Sequence, residues 1–235
     1  MDRLIALLSG QDDTVELDRA ALELATIEDP ALDVEASLQT LDEWAAEINR
    51  RLPPAAGGAQ YLSVAHQFLF KDLGIRGDTD DYFHPRNSCI SHVLRERRGL
   101  PITLSVVYME VARRCLRPVY GIGLPAHFVA LYNDGLISVY VDPFHGGRLL
   151  SRQDCDKIVR QATGQDISGR DILFTPAGKR DILSRIGNNL RKAYYQSSEW
   201  AKLVKVITLL LHSQTDTRAQ SELAKELHFL RSHAV

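Results

Sequence analysis

A chain of 235 residues with 28 Lys and Arg against 30 Asp and Glu, net charge −2, carries no basic footprint, so nucleic acid is not an expected partner. Hydrophobic residues make up 45% and charged ones 25%, proportions that suit a soluble globular protein with one sizeable core and room for a helical appendage. No apolar run approaches the ~18 residues of a membrane span, and the opening MDRLIALLSGQDD has too short an apolar stretch for a secretory signal. Three cysteines without paired spacing, Cys89, Cys115 and Cys155, fit a reducing compartment rather than a disulfide framework. The expectation is a cytoplasmic, bacterial-type protein without a membrane partner.

Along the chain, Val34, Leu38, Leu41, Ala45 and Ile48 recur at helical spacing, with Trp44 widening the stripe. Pro53-Pro54 and Gly57-Gly58 end that helix. Tyr61, Leu62, Ala65, Phe68 and Leu69 make the next apolar face, broken at Gly74 to Gly77. In the loop GDTDDYFHPRN, the residues Asp78, Asp80, Asp81 and His84 lack the spacing of a calcium loop or a zinc cluster, so a solvated acidic turn is expected. Asn87 or Ser88 suits the N-cap of a helix through about Arg98, terminated by Gly99. Pro101 then opens a second helix to about Leu116, apolar over most of its surface and therefore buried. Its end and the preceding helix's end carry the arginine pairs Arg113-Arg114 and Arg97-Arg98, where cations complement the helix dipole.

The most informative stretch is 121–147, GIGLPAHFVALYNDGLISVYVDPFHGG. Val119 to Ile122 reads as a strand, and a hairpin follows with Asp134-Gly135 as its two-residue turn. Opposed residues then have numbers summing to 269, which sets His127 directly across from Asp142, roughly 5 Å apart at Cβ. Phe128, Ala130, Tyr132, Ile137, Val139 and Val141 form the apolar face; His127 and Asp142 share the mixed one. An imidazole oriented by a carboxylate is two thirds of a nucleophile–His–Asp triad. His145, in Pro143 to Gly147, borders the same region in what reads as a glycine turn. Ser151 caps a helix from about Arg152 to Gln161, with Asp154 placed for a capping box. GQDISGRDILFTPAGKR reads as a polar linker. Two or three helices follow, through Ile182 to Tyr194, Trp200 to Ile207 and Leu223 to Leu230.

The runs HPRNSCISHVLRERRGLPITLSVVYMEVARR, GIGLPAHFVALY and VDPFHGGRLLSRQDC together resemble the SirB-type branch of the transglutaminase-like superfamily, over about residues 30–165. The tail resembles a tetratricopeptide-like helical hairpin and the start of another. The resemblance implies an α+β, papain-related core, a buried helix against an antiparallel sheet, with helical segments at both ends: a transglutaminase-like domain over 1–165 and a helical extension over 176–235. In active members a cysteine opens the buried helix, where the dipole and an imidazolium stabilise a thiolate, and His and Asp come from adjacent strands. His127 and Asp142 match the last two roles. Residues 99–105, GLPITLS, hold no cysteine.

Two readings follow. One is a degenerate, non-catalytic module that binds a protein or peptide in a regulatory role. The other is an amide-directed hydrolase or acyl transferase, with His127 as general base, Asp142 as orienter and Thr103, Ser105 or a displaced cysteine as nucleophile. Cys89, Cys115 and Cys155 read as structural. No cofactor or metal is expected, and the sequence assigns no oligomeric state.

Overall fold

A computed structural model describes residues 12–213 and 217–233 of the chain. Helix α1 (Leu17–Ala25) precedes α2 (Val34–Arg51), whose start is fixed by the Asp33 side chain accepting from the Ala36 N–H at 3.0 Å. Leu41, Trp44, Ala45 and Ile48 of α2 are buried, the stripe expected of it. Helix α3 (Gly58–His66) is prolonged by a π-helical stretch, Gln67–Asp72. After strand β1 (Arg76–Gly77), a 3-10 turn (Pro85–Ser88) leads into α4 (Ile90–Glu96). The cap of α4 is Cys89, and Asn87 and Ser88 lie in the turn before it. The helix ends at Arg97, which takes a left-handed φ of 64°. Gly99 instead pairs with Gly77, where β2 (Arg98–Gly99) runs parallel to β1.

Helix α5 (Pro101–Arg114) is the core of the molecule and is buried on nearly every side. It packs against α2, α4 and the sheet. Its arginines do more than complement a dipole. Arg113 and Arg114 reach the buried Asp18 of α1 at 3.1 and 2.6 Å, and both also meet Glu110. Burial pushes the Asp18 carboxyl up, but the hydrogen bond and charge of Arg114, with Arg19 N–H and Arg113, outweigh this and hold it below the usual carboxylate range. The network ties α1 to the end of α5.

Four antiparallel strands follow in spatial order, β3 (Val119–Ile122), β4 (Val129–Asn133), β5 (Ser138–Asp142) and β6 (Arg148–Leu150). The hairpin register differs from the expected one. Ala130 pairs with Val141 and Asn133 with Ser138, a shift of two residues. The Asp134 carboxylate accepts from the Leu136 and Ile137 N–H groups, and the Asp134 N–H donates to Ile137 O. The loop therefore runs four residues and leaves Leu136 95% exposed. An even shift keeps every side chain on its face. His127 consequently lies outside the ladder, in the turn before β4.

Both faces of the sheet are covered. Phe128, Ala130, Tyr132 and Val141 join the main core around α5. Ile122, Val129 and Leu131 belong to a second core with Cys155 and Val159 of α6 (Arg152–Thr163). Ser151 and Asp154 form the expected capping box of α6. The stretch read as a linker contributes buried Ile167 and Phe174 to this second core, because the mixed face of the hairpin needs an apolar cover.

Helix α7 (Lys179–Gln196) then returns across the molecule to α1 and to the Pro85–Ser88 turn. It packs on α8 (Trp200–Ser213), which packs on α9 (Thr217–His233). Glu28 fastens these helices to the N-terminal region through Tyr194 Oη and Lys202 Nζ, each at 2.9 Å.

Candidate functional site

Asp142 closes β5 and caps the 3-10 turn Pro143–His145. Its Oδ1 accepts from the Phe144 and His145 N–H groups at 3.1 and 3.3 Å. Its Oδ2 accepts from His127 Nε2 at 2.9 Å and His145 Nδ1 at 2.7 Å. The sequence thus places His127 and Asp142 together, and tertiary structure adds His145 as a second imidazole on the same oxygen. The signal for His145 lies in its spacing, since a residue three beyond a capping aspartate can fold back onto it. Asp142 is fully buried and His127 is 7% exposed, whereas His145 is 56% exposed. Burial pushes the Asp142 carboxyl up, but the hydrogen bonds and charge of the two histidines hold it far below the usual carboxylate range. The hydrogen bond to Asp142 raises His145 above the ordinary imidazole value against the opposing effect of burial.

The His127 loop is held from outside. The His127 N–H closes a turn onto Leu124 O, with Ala126 at a φ of 57°. Arg185 Nη2, from α7, donates to Leu124 O and His127 O at 2.6 and 2.7 Å. Phe144 sets its ring edge-on to His127, with centroids 6.2 Å apart.

Beside His127 lies a cavity of about 270 Å³. Its walls include Tyr82 and Phe83, the start of α5 at Leu100 to Ile102, and α7. Thr103 and Ser105 do not line it. Thr103 is fully buried and its hydroxyl is shared between Asn87 O at 2.8 Å, Leu100 O at 3.1 Å and the Leu100 N–H at 3.0 Å. Ser105 is equally buried, with its Oγ 3.5 Å from Phe128 O. Ser88 and the phenol of Tyr82 are the hydroxyl-bearing residues that share the cavity lining with His127. Sequence reasoning placed Ser88 only as a cap, because its approach to His127 depends on how the Pro85–Ser88 turn packs.

All three cysteines are buried, and burial pushes their thiols up, to about 12 for Cys89, 11 for Cys115 and 12 for Cys155. Asn87 explains the HPRN run. Its Nδ2 donates to Asp81 O at 2.7 Å, and its carbonyl accepts from the Leu100 N–H and the Thr103 hydroxyl. It ties the acidic loop to the first turn of α5. Within that loop Asp78 is buried rather than solvated, accepting from the Asp80 and Asp81 N–H groups.

His127, Asp142 and His145 each offer one ligand atom within 4.8 Å of the others. Both imidazole nitrogens already converge on Oδ2, at 2.7 and 2.9 Å. Donors on a tetrahedral zinc stand roughly 3.4 Å apart, so a cation could enter only by breaking both hydrogen bonds and spreading these atoms.

Among the described residues, no helix is long and apolar enough to cross a membrane. Residues 35–188 match a family model described as the transglutaminase-like superfamily. A UPF0162 protein of Xylella fastidiosa strain 9a5c is 30% identical over 211 residues, 88% of this chain and 74% of that protein. A UPF0162 protein of Pseudomonas aeruginosa is 28% identical over 218 residues, 90% of this chain and 78% of that one. F-box only protein 21 of Mus musculus is 26% identical over 140 residues, 56% of this chain but 21% of its own length. No solved structure matches significantly. A buried helix on an antiparallel sheet, a His–Asp pair at the sheet's end and a family match across two thirds of its length all agree: this chain belongs to the transglutaminase-like superfamily.

Proposed function

We propose that the protein is a non-catalytic member of its superfamily, of the SirB-type branch, that binds a protein or peptide segment in the cavity beside His127 and so acts in regulation. One observation carries this reading: the first turn of α5, where active members keep their nucleophile, offers no thiol, and both of its hydroxyls are buried and turned to backbone carbonyls. The raised thiols of Cys89, Cys115 and Cys155 support it, since a protonated buried thiol is a poor nucleophile. The helices α7 to α9, read as a tetratricopeptide-like extension, would add binding surface. A stretch similar to 56% of this chain makes up about a fifth of a longer F-box only protein, in keeping with a module that serves larger chains.

The alternative, an amide hydrolase or acyl transferase, draws on the intact His127–Asp142 pair and on Ser88 in the same cavity. Intact-mass analysis after exposure to chloroacetamide and fluorophosphonate probes at pH 7 separates the two. The native chain is expected to take up neither probe within the cavity. An adduct on Ser88, Thr103 or Ser105 that disappears in His127→Ala would establish a nucleophile and overturn the non-catalytic reading.

A further inference from the structure

The cavity beside His127 has two walls of different origin. One belongs to the core; the other is a single stripe of α7, where Arg185, Asn189, Lys192 and Gln196 recur at the spacing of one helix face and all border the cavity. Among the described residues no Asp or Glu lines it. Arg185 spends its Nη2 on two carbonyls and meets no carboxylate among the described residues. Lys192 is exposed and sits over the Phe83 ring at 5.6 Å, also without a carboxylate. Opposite them the positive end of the fourteen-residue α5 borders the cavity at Leu100 to Ile102, with the Leu100 N–H taken by Asn87 O and the Thr103 hydroxyl.

Two cations without counter-ions and the positive end of α5, in a lining that holds no Asp or Glu among the described residues, favour an anion. Phe83, Ile102, Phe128 and Ala193 give the cavity an apolar wall, beside the polar Tyr82, His84 and Ser88. At about 270 Å³ the space falls just short of pockets for drug-sized ligands, roughly 300–1,000 Å³, and suits one residue rather than a long segment. We infer that the cleft receives the C-terminal residue of a peptide, its carboxylate between the α7 stripe and the start of α5, its apolar side chain against Phe83, Ile102 and Phe128. This rests on the peptide-binding reading above and names what that site recognises.

The test titrates the ¹⁵N-labelled full chain with N-acetyl-alanyl-leucine, with its C-terminal amide and with inorganic phosphate, following amide shifts by NMR. The free acid is expected to shift the Ile102, Thr103 and His127 amides, and the amide form to bind about tenfold more weakly, the worth of one charge-assisted contact. Lys192→Gln, a surface change, should weaken the acid several-fold and leave the amide form unaffected. Equal binding of acid and amide at those positions would overturn carboxylate recognition and leave peptide binding standing. Shifts with phosphate but neither peptide would replace the ligand with a phosphate group, overturning the proposal. Absence of shifts with all three would sink both the proposal and the reading beneath it.

Discussion

His66 gives the clearest residue-level forecast. Its Nε2 lies 3.1 Å from Tyr108 Oη, between the Phe70 and Tyr108 rings. Burial pulls its pKa down to about 4, while the unfolded chain takes up that proton near ~6.5. Between those values the unfolded state binds more protons, so stability rises with pH. Urea midpoints are expected to fall as pH drops from about 6.5 toward 4, and His66→Gln should flatten that slope. A slope unchanged in the variant would place the titration elsewhere. Thr103 offers a second forecast. Thr103→Val keeps the shape and removes a hydroxyl shared by three backbone groups, at an expected cost of about 1–3 kcal/mol. Urea unfolding measures it, and a cost near zero would contradict the structural role. Sequence alone could name Thr103 as a hydroxyl in a helix's first turn. It could not show that Asn87 O, sixteen residues earlier, competes for it.

At the level of elements, the two short strands β1 and β2 set the floor under the site. The Phe144 ring lies against Gly77, where an added Cβ would come within 2.5 Å of ring carbons. Phe144 is flanked by Asp142 and His145 and meets His127 edge-on. Gly77→Ala is therefore expected to cost about 1–3 kcal/mol by overpacking and to move the His127 and His145 ring resonances. Unmoved ring resonances would mean that Phe144 does not govern the dyad. The hairpin teaches a related lesson. Alternation of side chains along β4 and β5 was legible, but His127 reaches Asp142 from the turn before β4, outside that alternation. The two-residue register shift was not legible, because it depends on the Asp134 carboxylate capturing the Leu136 and Ile137 N–H groups instead of leaving Asp134-Gly135 as a tight turn. The burial of Ile167 and Phe174 was equally hidden, since a loop's polarity does not reveal which of its few apolar residues will cover a sheet.

Across the whole molecule, Arg185 couples the C-terminal helices to the site. Its guanidinium holds the carbonyls on both sides of the Leu124–His127 turn. Arg185→Leu is expected to cost about 1–3 kcal/mol, and to speed hydrogen exchange at the His127 and Phe128 amides while α1 and α2 stay protected. Uniform acceleration throughout would show only global destabilisation. The sequence by itself determined the helices, the buried character of α5, the strand and hairpin that make the sheet's first three strands, and the lack of a cysteine at 99–105. Each of these follows from local periodicity, turn chemistry or residue identity, which are properties of neighbouring positions. Tertiary structure alone decided that His145 shares Oδ2 with His127, that Thr103 and Ser105 are turned away from the cavity, and that α7 forms one of its walls. These depend on contacts between residues fifteen or more positions apart, where the burial of apolar faces sets which polar groups must satisfy one another.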